Sequence, residues 1–176
     1  MPRKLTDHKC KIVLVGFMGA GKSTVGALLA RSLGCRLVDL DKLIVDRAGR
    51  SIRDIFDKDG EAAFRELETT FLKTLTGAER IVVATGGGVV GRNENWLAMR
   101  RLGTVVYLRV PWDILRSRIA GDAERPLVSP AEGAERLFRL LDSRLPLYEQ
   151  ADLIIDCQDD SPEKIVQRIL LAMEKV

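Results

Sequence analysis

Histidine is almost missing from this chain of 176 residues. His8 stands alone in the polar N-terminal stretch, with no second ligand or nucleophile beside it, so it is assigned no role. Cysteine is scarce too: Cys10, Cys35 and Cys157 are odd in number, far apart in sequence and each next to an apolar, strand-like run. That pattern excludes a disulfide or zinc framework and makes the three thiols small buried hydrophobes. No apolar run approaches the ~20 residues that span a bilayer, and Met1 to His8 lacks the apolar core of a signal peptide. A cytoplasmic protein without a membrane partner is therefore expected. Charge of one sign is lacking as well, since 28 basic against 25 acidic residues leave only +3, with no clustered basic face that would argue for a nucleic-acid partner. Repeats, linkers and low-complexity tracts are absent. One domain over residues 1–176 is the expectation, with a composition, 46% hydrophobic and 30% charged, suited to a globular core.

What is present is organised around Gly16-Phe17-Met18-Gly19-Ala20-Gly21-Lys22-Ser23, which fits the phosphate-binding pattern G-x-x-x-x-G-K-[ST]. The apolar run Ile12 to Val15 precedes it, and Ser23 to Leu33 carries apolar residues at helical spacing, so strand, loop and helix follow in the order the motif requires. The glycines let successive backbone N–H groups, backed by the helix N-terminus, point at phosphate oxygens. Gly19, Ala20, Gly21, Lys22, Ser23 and Thr24 are thus candidate nucleotide contacts. Lys22 would reach the β- and γ-phosphates, and Ser23 would offer its hydroxyl to Mg²⁺. The motif alone is shared by switches, transport ATPases, motors and small-molecule kinases, so the acceptor has to be argued from the remaining residues.

Cys35 to Val38 reads as a second strand ending in Asp39-Leu40-Asp41. Residues two apart on an extended segment face the same side, so both carboxylates could project beside the phosphate loop, one toward a metal and the other toward an acceptor hydroxyl. The alternative is a solvated Asp-x-Asp capping the next helix, Lys42 to Ala48. A short helix from Ser51 then reaches the turn Asp57-Lys58-Asp59-Gly60, and a long helix spans Glu61 to Leu75, carrying Arg65 and Glu68 three apart; read from spacing alone, those two are a surface ion pair. Asp57 to Gly60 also fits the D-x-x-G element of GTP switches. It follows a helical pattern and no N-K-x-D occurs, so the match is coincidental.

The strand Ile81 to Ala84 opens into Thr85-Gly86-Gly87-Gly88, more glycine than a turn requires, which points to close approach of a ligand. A helix over Asn93 to Arg101, a strand over Thr104 to Leu108 and a helix from Pro111 to Ala120 follow. Gly121 to Pro130 is rich in breakers and reads as a lid over about 121–129. A helix from Ala131 to Arg144 is expected to stop before Pro146, and a last strand, Leu153 to Ile155, and a helix from Ser161-Pro162 complete the chain. Five strands alternating with helices predict an α/β fold of three layers with a parallel sheet covered on both faces.

The phosphate loop, Asp39-x-Asp41, Phe64-Arg65, Gly86-Gly87-Gly88, Arg125-Pro126-Leu127 and Arg144-x-Pro146-Leu147-Tyr148, in that order, resemble the shikimate kinases from about Lys9 onward. The resemblance implies ATP-dependent phosphorylation of the 3-hydroxyl of shikimate on the way to the aromatic amino acids. It implies a P-loop NTPase fold with strand order 2-3-1-4-5 and a monomer acting on small molecules. By the same resemblance, an acceptor segment over about 40–75 would work with Asp41, Arg65, Gly86, Gly87, Gly88 and Arg144 to hold shikimate, with Asp41 at the reacting hydroxyl and Glu68 holding Arg65. Asp39 would join Ser23 around Mg²⁺, Arg118 would pack on the adenine, and Arg125 would be the lid arginine. A guanidinium pairs well with a carboxylate, which suits Arg65 and Arg144 to this acceptor. The alternatives are another small-molecule kinase of this fold, for gluconate or nucleotides, and a nucleotide-binding switch. One departure stands out: relatives can carry a basic residue just before the proline near the adenine, where this chain has Asp159-Asp160-Ser161-Pro162.

Overall fold

Five short aliphatic runs form the frame: β1 (Lys11–Val15), β2 (Arg36–Asp39), β3 (Ile81–Ala84), β4 (Thr104–Arg109) and β5 (Leu153–Asp156). They pair in parallel in the order β2-β3-β1-β4-β5, with Val13 opposite both Val83 and Val105. The computed structural model describes residues 10–120, 130–158 and 160–175, for 130–132 the backbone alone. His8, Asp159 and the 121–129 loop with Arg125 lie outside the described residues. Ile12 to Val15 and all of β3 are buried, as befits central strands covered by helices on both faces. Each such aliphatic side chain contributes about 1.5–3 kcal/mol by leaving water.

The helices are α1 (Lys22–Leu33), α2 (Leu40–Ala48), α3 (Ile52–Thr74), α4 (Asn93–Leu102), α5 (Trp112–Ala120), α6 (Pro130–Tyr148) and α7 (Pro162–Met173). In α1 the buried positions Val25, Gly26, Leu29, Ala30 and Leu33 recur at three and four residues, which makes one apolar stripe. Ser51 and Ser161 cap α3 and α7 by accepting from the backbone N–H three residues on.

Three boundaries differ from the sequence-based expectation, each for a local reason. The expected turn before Glu61 shrinks to one residue: α3 runs on through Asp57 to Asp59 and breaks only at Gly60, whose φ of 84° and ψ of 170° are not helical. Asp41 is not on an extended strand end with Asp39 but in the first turn of α2, because Asp39 caps that helix and the chain turns at once. Helix α6 does not stop at Arg144; it continues through Pro146 to Tyr148. Proline there removes one N–H near a helix end, and the buried Tyr148, anchored elsewhere, holds the last turn in place. Cysteines distant in sequence also meet: the sulfurs of Cys10 and Cys35 lie 3.8 and 3.7 Å from the same carbonyl, that of Leu33. They are free thiols, and burial pushes Cys35 up to about 12 and Cys157 up to about 11, so both stay protonated.

Candidate active site

The phosphate loop leaves β1 and enters α1 through Gly19 and Gly21, at φ 78° and 85°, a left-handed backbone that only glycine adopts without strain. No side chain caps the start of α1, so the N–H groups of its first turn face outward as an anion site. Lys22 is buried, and its Nζ donates to the carbonyls of Gly16 at 2.7 Å and Phe17 at 2.9 Å, which holds the ammonium inside the loop's curve. Arg118 of α5 reaches the same loop, its guanidinium donating to Gly19 O at 3.1 Å. Ala20 is buried within the loop, while Ser23 and Thr24 are exposed at its mouth.

Ser23 donates its hydroxyl hydrogen to Asp39 Oδ2 at 2.6 Å, while Asp39 Oδ1 accepts from Lys42 N at 3.2 Å. The capping alternative for Asp39 is thus what the fold shows, one oxygen capping α2 while the other lies on Ser23 of the phosphate loop. Two hard oxygen donors side by side at an anion site are the set a divalent cation accepts when phosphate and water complete its shell. The donors present therefore fit Mg²⁺.

A second cluster forms around the glycine turn after β3. Glu68 of α3 is fully buried and accepts from Arg65 Nη1 at 2.6 Å. Burial raises the Glu68 pKa, with the nearby Asp41 carboxylate adding to the rise and Arg65 and Arg144 opposing it. For Arg65 burial works against the charge, but Glu68 and then Glu61 outweigh it and the pKa is raised. What spacing alone made a surface ion pair is thus half-sunk in the protein. The glycines earn their place by contact: a Cβ on Gly86 would lie 2.6 Å from Glu68 Oε1 and 2.9 Å from Asp41 Oδ1, and one on Gly88 would lie 2.2 Å from Arg65 Nη1. Gly87 lies against the phosphate loop, since its Cβ would sit 3.4 Å from Met18 N. The Gly87 carbonyl accepts from Tyr148 Oη at 2.6 Å and from Arg144 Nη1 at 3.4 Å. Two carboxylates, two guanidinium groups and three glycines therefore converge next to the phosphate loop. Among the described residues Glu68 Oε1 has no hydrogen-bond partner, so a buried acceptor lies beside Gly86 that a hydroxyl could satisfy.

Some supports of this turn carried no role at the sequence level. Tyr148 is fully buried and stacks on Tyr107 with ring centroids 5.0 Å apart. Asn95 Nδ2 donates to Val89 O at 2.8 Å and Trp96 Nε1 to Val90 O at 3.0 Å, so the start of α4 clamps the segment after the glycines. A buried asparagine on an otherwise apolar helix face was the available signal. Asp160, two residues before Pro162, is taken up by Arg168 at 2.9 Å and Lys164 at 3.3 Å, so its charge is neutralised by α7.

The shikimate kinase family model matches residues 18–174. A shikimate kinase from Geobacter sulfurreducens is 49% identical over 158 residues, 90% of this chain and 87% of that protein. One from Thermodesulfovibrio yellowstonii is 41% identical over 94% of this chain and 95% of its own. Among solved structures, shikimate kinase from Acinetobacter baumannii in complex with shikimate superposes with a TM-score of 0.87 at 38% identity, covering 93% of this chain and 92% of that one.

Proposed function

Since the chain belongs to the shikimate kinase family and phosphorylates shikimate at the expense of ATP, we propose the following division of that work among its residues. The observation that carries it is the contact of the Gly86 to Gly88 turn, gripped by Asp41, Arg65, Glu68 and Arg144, with the phosphate loop. Donor and acceptor sites share a wall there.

Gly19 to Thr24 bind the phosphates through backbone N–H groups and the N-terminus of α1, and Lys22 neutralises charge on the transferring group. Arg118, tied to Gly19, flanks the base. Ser23 and Asp39 hold Mg²⁺. When bound, ATP supplies the γ-phosphoryl group and Mg²⁺ offsets the charge of its oxygens. Arg65 and Arg144 pair with the carboxylate of shikimate, the glycine turn and Glu68 receive its hydroxyls, and Asp41 orients the 3-hydroxyl and accepts its proton as the new P–O bond forms. The bond from the γ-phosphorus to the bridging oxygen breaks, and ADP leaves with that electron pair. Arg125, on a lid over 121–129, completes the charge neutralisation and keeps water from the phosphoryl group. The chain works as one domain, with residues 40–75 as its acceptor segment, and as a monomer in the cytoplasm.

The test is chemical. Shikimate methyl ester keeps every hydroxyl and loses the charge, so it should bind about 2–5 kcal/mol more weakly than the acid, with ATP affinity unmoved. Arg65→Ala and Arg144→Ala should lose the same amount for the acid and discriminate far less between acid and ester. Equal turnover of acid and ester by the unaltered enzyme would remove the two arginines from the acceptor site.

A further inference from the structure

Arg65 is bound by two carboxylates of its own helix, and they differ in freedom. Glu68 takes Nη1 at 2.6 Å, while Glu61 takes the opposite edge of the fork, accepting from Nε at 3.2 Å and from Nη2 at 3.0 Å through a single oxygen. A further carboxylate seeking a planar, two-bond pairing with this guanidinium has to share it with one of them. The Glu68 side chain is 0% exposed and locked between Arg65 and the glycine turn, whereas that of Glu61 is 65% exposed, one helical turn before Arg65. Glu61 can swing into water at the cost of one half-exposed ion pair. Glu68 has nowhere to go.

We propose that Glu61 is a placeholder for the acceptor's carboxylate: it occupies the Nε–Nη2 edge of Arg65 in the empty site, is displaced when the anionic acceptor binds, and so sets acceptor affinity. The proposal rests on the reading of Arg65 as a carboxylate-binding residue. Glu61 is then a positioning residue that holds the guanidinium flat against Gly88 between turnovers. It also discriminates, because a neutral ligand gains too little from Arg65 to dislodge a charged competitor.

Titration calorimetry of shikimate into the nucleotide-free protein tests this, with the Michaelis constants alongside. Glu61→Gln is expected to tighten shikimate binding roughly two- to fivefold, the scale of one partly exposed ion pair. The KM for shikimate should fall with it while that for ATP stays put. Glu66→Gln, which removes an equally exposed negative charge paired with Arg92 rather than Arg65, is expected to leave shikimate affinity unchanged. Unchanged or weaker binding by Glu61→Gln overturns the proposal, since Glu61 would then only support Arg65. Equal tightening by both variants overturns it too, by reducing the effect to long-range charge. Arg65→Ala separates the layers: if that variant binds shikimate normally, the role of Arg65 itself falls, and the placeholder with it.

Discussion

Glu68 is where the acceptor cluster is most costly to assemble. Its carboxyl is fully buried, one oxygen bonded to Arg65 and the other without a partner among the described residues, and its pKa is raised above the ordinary 4.5. Below the ordinary value it is protonated folded and unfolded alike and contributes no pH dependence. As pH rises from there, the unfolded chain releases the proton first while the folded one retains it, so this group lowers stability until its folded pKa is passed, and the loss then levels off. Urea midpoints measured from about pH 4.5 to 7 should therefore show Glu68→Gln gaining on the parent as pH rises. Parallel profiles would mean that Glu68 ionises as readily in the fold as in the unfolded chain. The sequence made Arg65 and Glu68 a pair but could not make them buried, because helical spacing says which residues meet and nothing about what covers them. For Gly86 to Gly88 the sequence pointed to a ligand; the fold sets the side chains of Glu68, Asp41 and Arg65 against Gly86 and Gly88, a contact that no spacing along the chain discloses.

At the scale of elements, α3 depends on one break. Gly60 has φ 84° and ψ 170°, a region almost closed to other residues, and among the described residues nothing beyond its own stretch of chain lies within 4 Å of the Cβ it lacks. Substitution there meets no clash, so any cost is backbone strain. Gly60→Ala should lose about 1–3 kcal/mol in urea unfolding and weaken shikimate binding, because Arg65 lies little more than one turn beyond the break. Full stability would show that the helix straightens without penalty. The five strands were legible because each holds a short apolar run bounded by glycine or charge, although only β1, β3 and β4 are largely buried while the edge strands β2 and β5 are half open. The end of α6 was not, because proline is a strong local stop signal and the tertiary contact of Tyr148 with Gly87 lies far away in sequence. The places of Asp39 and Asp41 were half legible: their nearness to the phosphate loop followed from the strand end, but not the immediate start of α2.

For the molecule as a whole, the proposed monomer is open to direct test. The large apolar side chains most exposed among the described residues, Leu97, Phe138, Ile154 and Leu171, sit on four different elements. Sedimentation equilibrium should return the mass of one chain across the micromolar range; a concentration-dependent dimer would contradict the monomer. Residues 40–75 leave the sheet at the end of β2, a short connection then returns to it at Ile81 of β3, and these strands are hydrogen-bonded neighbours, Arg36 opposite Ile81 and Asp39 opposite Ala84. The segment proposed to contribute to the acceptor site thus lies between adjacent strands, outside the path from phosphate loop to α1. Exchanging that segment would replace Asp41, Arg65 and Glu68 together while leaving the phosphate loop, Gly86 to Gly88 and Arg144 in place.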